Sequence, residues 1–243
     1  MTAVADSPQP ASPTDQATYE PDRVFAPLHD ESWAKPIVIA QLGQTLDGRI
    51  ATITGESRGI GGEAGLYHLH LLRAHVDAVI VGAGTIEMDD PRLNVRLNDG
   101  VSPARVVLDP SGRIGENGKW LAADGVKRIL VSRRAHKPAA CDELIQIDAQ
   151  DGNMPPKAIV AELFKRGYRK ILVEGGPKTL SRFLSANAVD RLHIVVSPVI
   201  FGSGPSGLDL PPIESMTQAL RPRTKAYILS DGEVLFDCDL RSH

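Results

Sequence analysis

Long apolar runs are missing from this 243-residue chain. No stretch approaches the roughly 18 uninterrupted apolar residues that a membrane-crossing helix needs. The first residues lack the basic-then-apolar pattern of a secretory signal. Cysteine is scarce: Cys141 and Cys238 stand far apart, without CxxC spacing. Two such residues cannot make a disulfide framework, so both read as reduced thiols and the protein as cytoplasmic. Excess charge of one sign is also missing. A net charge of −3 creates no field over the whole surface that would attract nucleic acid or an anionic membrane, so any anion site must be built locally. What is present is ordinary for a globular chain, with 42% hydrophobic and 23% charged residues, in a length that suits one domain with a substantial core.

Residues 1–35 read as a disordered N-terminal tail. Pro8, Pro10, Pro13 and Pro21 interrupt any regular element, and no apolar period of 2 or 3.6 is visible. Phe25 and Trp33 are the tail residues suited to dock on the domain. The single folded domain then spans residues 36–243. It opens with Ile37–Ala40, and similar apolar runs recur at Ala78–Val81, Arg105–Leu108, Arg128–Val131, Lys170–Val173 and His193–Val196. Apolar residues at consecutive rather than alternate positions mark strands buried on both faces, as in a parallel sheet. Helical periodicity lies between them, over residues 63–75, 156–166 and 177–186. Strand–helix alternation predicts an α/β fold: a mostly parallel central sheet flanked by helices. Near the end, Ala226–Leu229 and Val234–Phe236 bracket Asp231-Gly232. That pair predicts a closing antiparallel hairpin on the sheet edge, turned by a type I′ turn with positive φ at both central residues.

Two glycine clusters follow strands directly, Val81-Gly82-Ala83-Gly84-Thr85 and Val173-Glu174-Gly175-Gly176-Pro177-Lys178-Thr179. Where a strand feeds a helix through glycines, bare N–H groups and the helix dipole favour a phosphate. In open α/β sheets such loops border the ligand crevice. Neither cluster is a full GxGxxG fingerprint, and glycine there also serves close helix–strand packing, so both readings stand.

Longer motifs are more specific. Gln44-Thr45-Leu46-Asp47-Gly48-Arg49-Ile50-Ala51 resembles the "SLDGkiA" turn of the reductase domains of riboflavin biosynthesis. Leu72-Arg73-Ala74, Asp77–Thr85 and Asp89-Asp90-Pro91-Arg92-Leu93-Asn94-Val95-Arg96 resemble that family's central block. Leu172–Pro177, Val189–Leu192 and Ser197–Gly202 are similar to its later blocks, in the same order and spacing over residues 36–238. The resemblance implies a dihydrofolate-reductase-like fold, NADPH as reductant, a homodimer, and a small phosphorylated substrate. The family reaction reduces the ribosylamino group of 5-amino-6-(5-phosphoribosylamino)uracil to a ribitylamino group. The zinc deaminase domain often fused to such reductases has no signature here.

Carried over by position, Gly43, Thr85, Asp89 and the run Gly176, Pro177, Lys178, Thr179, Leu180, Ser181 and Arg182 would contact the cofactor, and Ser57, Arg73, Leu93, Arg96 and Glu174 the substrate. Two converging arginines can hold a phosphate bidentately. Glu174, at a strand end beside the glycine pair, is placed to bind sugar hydroxyls. Ser132 and Arg133, with Arg134, follow a strand directly and are placed to grip a 2′-phosphate, or to form a solvated basic loop. The proton donor stays open among water, Asp89 and Glu174. Read singly, Arg73 and Arg96 are ordinary surface arginines, and Asp47 is a turn former rather than an acid. His68 and His70, at i and i+2, face different sides of a helix, which argues against a shared metal. Two positions depart from the family pattern: Gln41, where members carry Lys, and Gly59, where they carry Trp. Competing functions are a same-fold reductase of a dihydrofolate-like pterin or another imine, and a non-catalytic nucleotide-binding module.

Overall fold

The computed structural model describes residues 16–29, 34–148 and 153–241. Ten strands among these residues form one sheet: β1 (Gln16–Thr18), β2 (Ile37–Thr45), β3 (Ala78–Gly82), β4 (Ala104–Asp109), β5 (Arg128–Ser132), β6 (Glu143–Gln146), β7 (Lys170–Glu174), β8 (Arg191–Ser197), β9 (Arg223–Ile228) and β10 (Val234–Asp239). Their order is β1-β9-β10-β8-β2-β7-β3-β4-β5-β6. Neighbours pair in parallel except on either side of β10, which runs antiparallel to β8 and β9. All six apolar runs lie in strands, and β4 is buried at every position. The expected mostly parallel α/β sheet is the observed fold.

Among the described residues, five α-helices cover the two faces: α1 (Pro21–Phe25), α2 (Glu63–Ala74), α3 (Ala83–Asp89), α4 (Pro156–Lys165) and α5 (Pro177–Ser185). Alternate strand residues serve two cores. Ile37, Ile39, Val79 and Val81 pack with Leu72 of α2, Ile86 of α3 and Phe25 of α1. Val38, Ala40, Ile80 and Val173 pack with Ile159 and Leu163 of α4 and Leu180 and Phe183 of α5. At roughly 25 cal/mol per Å² of apolar area removed from water, these two layers dominate the folding free energy.

Two expectations need correction. The segment 16–29, expected to be disordered, carries β1, α1 and a 3-10 turn, and buries Val24, Phe25 and Leu28. Pro21 does not break this helix. It sits at the first helical position, where a missing N–H costs nothing. Residues 1–15 and 30–33, with Trp33, lie outside the described residues. A polar chain also ties this segment down. Asp237 lies 3.3 Å from His193 Nε2. His193 Nδ1 and His68 Nε2 share a hydrogen bond at 3.1 Å, and His68 Nδ1 and the Tyr19 hydroxyl share one at 2.9 Å. Phe25 stacks on His68 and His75.

The second correction concerns the hairpin. It forms, but β1 pairs with β9, so the hairpin is not the sheet edge. Its turn is also longer than a two-residue type I′. Leu229 N–H donates to Glu233 O at 2.8 Å across Ser230-Asp231-Gly232, and only Gly232 has positive φ, +86°. A three-residue loop needs one left-handed residue, not two. The hairpin serves α2 directly. Glu233 accepts the Gly62 and Gly65 amides at 2.9 and 2.8 Å, and Asp231 accepts that of Ala64 at 2.9 Å. Carboxylates at a helix N-terminus satisfy its bare donors and complement its dipole.

Candidate active site

β2, β7 and β3 lie side by side and end at the same edge of the sheet, and the two glycine turns leave from that edge against each other. A Cβ on Gly82 would lie 2.5 Å from Thr179 Oγ1, so only glycine allows this approach. The Gly176 amide donates to Thr85 Oγ1 at 3.0 Å. Gly176 begins α5 without a side-chain cap, and Lys178 in its first turn and Arg182 in its last are exposed with no acidic partner among the described residues. On β2, a Cβ at Gly43 would meet nothing within 4 Å. The uncapped Lys178 amide, the exposed Lys178 and Arg182 side chains and an open glycine floor fit an anionic dinucleotide. Within the run 176–182, Leu180 and Ser181 are buried, and Ser181 Oγ accepts from the Asp209 amide at 2.8 Å. They hold the cradle from beneath.

Beside it, a pocket of about 300 Å³ is lined by Arg73, Asp89, Arg92, Leu93, Arg96 and Lys119, among others. Arg73, near the end of α2, is only 4% exposed. Its Nε donates to Glu174 Oε2 at 2.8 Å, its Nη2 makes a very short contact with Glu174 Oε1, and its Nη1 donates to Asn94 O at 3.0 Å. This fork pins α2 to the end of β7. The Arg96 amide donates to His70 Nδ1 at 3.1 Å, and Arg96 Nη1 to Asn94 Oδ1 at 3.3 Å. Burial, then the charges of Arg73 and Arg96, push His70 down to about 4. Burial, then Arg73 and Arg92, lower the Arg96 pKa, and Glu174 opposes them. Guanidiniums crowded this closely are suited to an anion.

The loop that carries them is strained. Asp90 has φ +40° and Leu93, nearly fully buried, φ +55°. A left-handed non-glycine residue costs on the order of 1–3 kcal/mol, and such residues cluster at ligand sites. Asp90 is held by the Lys119 amide at 2.7 Å and Nζ at 3.3 Å.

The structure thus brings Arg73, Leu93, Arg96, Glu174 and Asp89 together, beside Thr85 and Gly176. Ser57 stands apart, exposed on the 52–61 loop and outside the pocket lining. Ser132 is fully buried, donating to Asp109 O at 2.6 Å and accepting from the Arg134 amide at 3.1 Å. Arg133 is exposed, with Nε on Pro110 O at 2.8 Å. Sequence reasoning missed Lys119, which only the tertiary fold brings near, and gave Arg92 no role although it lies inside a quoted motif. It also missed Arg113, whose Nη2 lies 3.6 Å from where a Gly84 Cβ would be. Asp47 is the turn former expected. It accepts from Thr45 Oγ1 and from the Phe201 and Gly202 amides at 2.6, 3.1 and 2.7 Å. The Thr45 hydroxyl leads in lowering its carboxyl to about 2. His68 and His70 face different partners, and no group of three metal-ligating side chains occurs among the described residues. Gln41 is buried on β2 between Glu174 of β7 and His193 of β8. Gly59 has φ +85°, which an aromatic residue would resist.

Comparison with known proteins identifies the family. The model of the RibD C-terminal domain matches residues 36–228. The riboflavin biosynthesis protein RibD of Aquifex aeolicus is 33% identical over 195 residues, covering 79% of this chain and 54% of that protein. The chain therefore spans about half the length of that relative. The 2,5-diamino-6-ribosylamino-4(3H)-pyrimidinone 5′-phosphate reductase of Methanothermobacter thermautotrophicus is 32% identical over 211 residues, covering 83% of this chain and 97% of that protein. Among solved structures, the deaminase/reductase of Thermotoga maritima superposes with a TM-score of 0.73 at 27% identity, covering 90% of this chain and 60% of that one. With its matched span running from the start of β2 to the end of β9, this chain belongs to the RibD C-terminal domain family.

Proposed function

We propose that this protein is an NADPH-dependent reductase in riboflavin biosynthesis, acting in the cytoplasm as a homodimer. Its substrate is a phosphoribosylaminopyrimidine, either 5-amino-6-(5-phosphoribosylamino)uracil or the 2,5-diamino-pyrimidinone form, and its product carries a ribitylamino group. The observation that carries this reading is the junction at Glu174. One residue ends β7 beside the cofactor-type glycine turn and, through Arg73, joins the cationic pocket. A dinucleotide cradle and a phosphate-type pocket therefore share a wall.

NADPH would supply a hydride from its nicotinamide ring to C1′ of the open-chain imine. The chain's own residues bind and orient. Gly43, Thr85, Gly176 and Lys178 would hold the dinucleotide, and Arg133, exposed just past β5, is the candidate for a 2′-phosphate. Leu93 supplies an apolar contact and Arg96 an anion contact at the substrate end. Glu174 already accepts two Arg73 donors, so its remaining lone pairs suit ribose hydroxyls. The imine nitrogen also needs a proton. Asp89 lines the pocket, is exposed, and has no hydrogen bond among the described residues, so it is placed to hold a water that delivers the proton.

The test is a steady-state assay of NADPH absorbance with each freshly made pyrimidine. Oxidation with one of them, and not with dihydrofolate, supports the proposal. Oxidation with dihydrofolate alone selects the pterin reductase, and NADPH binding without turnover selects the non-catalytic module.

A further inference from the structure

We infer that Arg92 is a specificity-determining residue of this pocket: together with Arg96 it forms the guanidinium pair that grips the phosphate monoester, while Arg73 acts at one remove by positioning Glu174. The inference rests on the phosphorylated substrate proposed above, and it follows from counting committed donors. Arg73 gives Nε and Nη2 to the two oxygens of Glu174 and Nη1 to Asn94 O. Its planar edge is occupied and its charge matched. Lys119 is matched by Asp90. A phosphate monoester carries a charge of about −1.5 to −2 near neutral pH, more than one guanidinium offsets.

Two cations in the lining remain. Arg96 spends one N–H on a neutral amide oxygen, Asn94 Oδ1 at 3.3 Å. Arg92 is exposed and has neither an ion pair nor a hydrogen bond among the described residues. The two are close enough for Arg92 to lower the Arg96 pKa, so without an anion they repel. The backbone keeps Arg92 there. Left-handed Asp90, anchored on Lys119, lies on one side, and left-handed, buried Leu93 lies on the other. Pro91 fixes one more dihedral. A turn strained at both ends and pinned at both ends presents the one side chain in it without a partner.

Two readouts test this. Arg92→Ala should lower kcat/KM for the phosphorylated pyrimidine roughly tenfold to hundredfold, mostly through KM, the scale of a lost charge-assisted contact. The same variant should barely affect the dephosphorylated ribosylamino compound or the KM for NADPH, and Arg92→Lys should restore part of the loss. Ribose 5-phosphate binding, followed by calorimetry on the cofactor-free protein, needs no turnover. Wild type should bind it, and Arg92→Ala should bind it at least roughly tenfold more weakly. If wild type binds ribose 5-phosphate with that dependence but reduces neither pyrimidine, the substrate reading fails and the phosphate grip stands. Equal binding by Arg92→Ala and wild type, equal losses on the phosphorylated and dephosphorylated compounds, or no binding by wild type would each overturn the inference.

Discussion

Replacing Arg73 with Met should destabilise the whole protein as well as impair the site. Its guanidinium makes a two-point contact with Glu174, and the side chains are 5% and 17% exposed. Removing one partner of a buried pair costs about 3–5 kcal/mol, because the other charge stays behind in poor solvent. Water reaches Glu174 at one side, so the lower end, about 3 kcal/mol, is the expected loss. For a chain of this size each kcal/mol moves Tm by roughly 2–4 °C, which gives a drop of about 6–12 °C. Glu174→Gln alone should also destabilise, since Arg73 is then the stranded charge. The double variant Arg73→Met/Glu174→Gln strands neither, and should recover much of the loss in urea unfolding. A single variant within about 1 kcal/mol of wild type, or strictly additive losses, would refute the reasoning.

Three further outcomes follow from the same contacts. Deleting residues 2–30 should lower Tm, and Phe25→Ala alone should cost about 3–5 kcal/mol in urea unfolding, because Val24, Phe25 and Leu28 are buried; an unchanged Tm would contradict this. Stability should fall on acidification from pH 7 to 5. His70 is held at about 4 and burial holds His68 well below its usual value, so below about pH 6.5 the unfolded chain binds more protons than the folded one, at a cost of up to about 3 kcal/mol from His70 by pH 4. The Asp47 carboxyl, lowered to about 2, keeps its share until the pH falls through the ordinary carboxylate range. Equal urea midpoints at pH 7 and 5 would exclude this ordering. Finally, NADPH should bind more tightly than NADH. Arg133→Ala should narrow the gap in Kd, whereas Ser132→Ala should lower Tm instead, because both hydrogen bonds of that hydroxyl are internal.

The inner parallel strands were legible because burial on both faces leaves consecutive apolar residues. Strand β6 was not, since Glu143–Gln146 is four residues long and polar at both ends. Segment 16–29 escaped because Pro21 reads as a breaker unless its helical position is known. The glycine turns announced a crevice, but their mutual packing through Gly82 and Thr179 is tertiary. Arg73 and Glu174 are 101 residues apart, and no local rule connects them. The motifs placed each at the substrate site, yet showed nothing of their pairing. That pairing commits three Arg73 donors inside the protein, which is why the phosphate grip is proposed for Arg92 and Arg96. Ser132 illustrates the opposite error, because a polar residue at a strand end looks available until its neighbours are known.

Hydride transfer itself can be followed with NADPH deuterated at the nicotinamide C4, on the face that donates. Turnover of the phosphoribosylaminopyrimidine should give a ribitylamino product heavier by about one mass unit, with the deuterium on C1′. Product formed without deuterium, or deuterium delivered only to a pterin, would contradict the account.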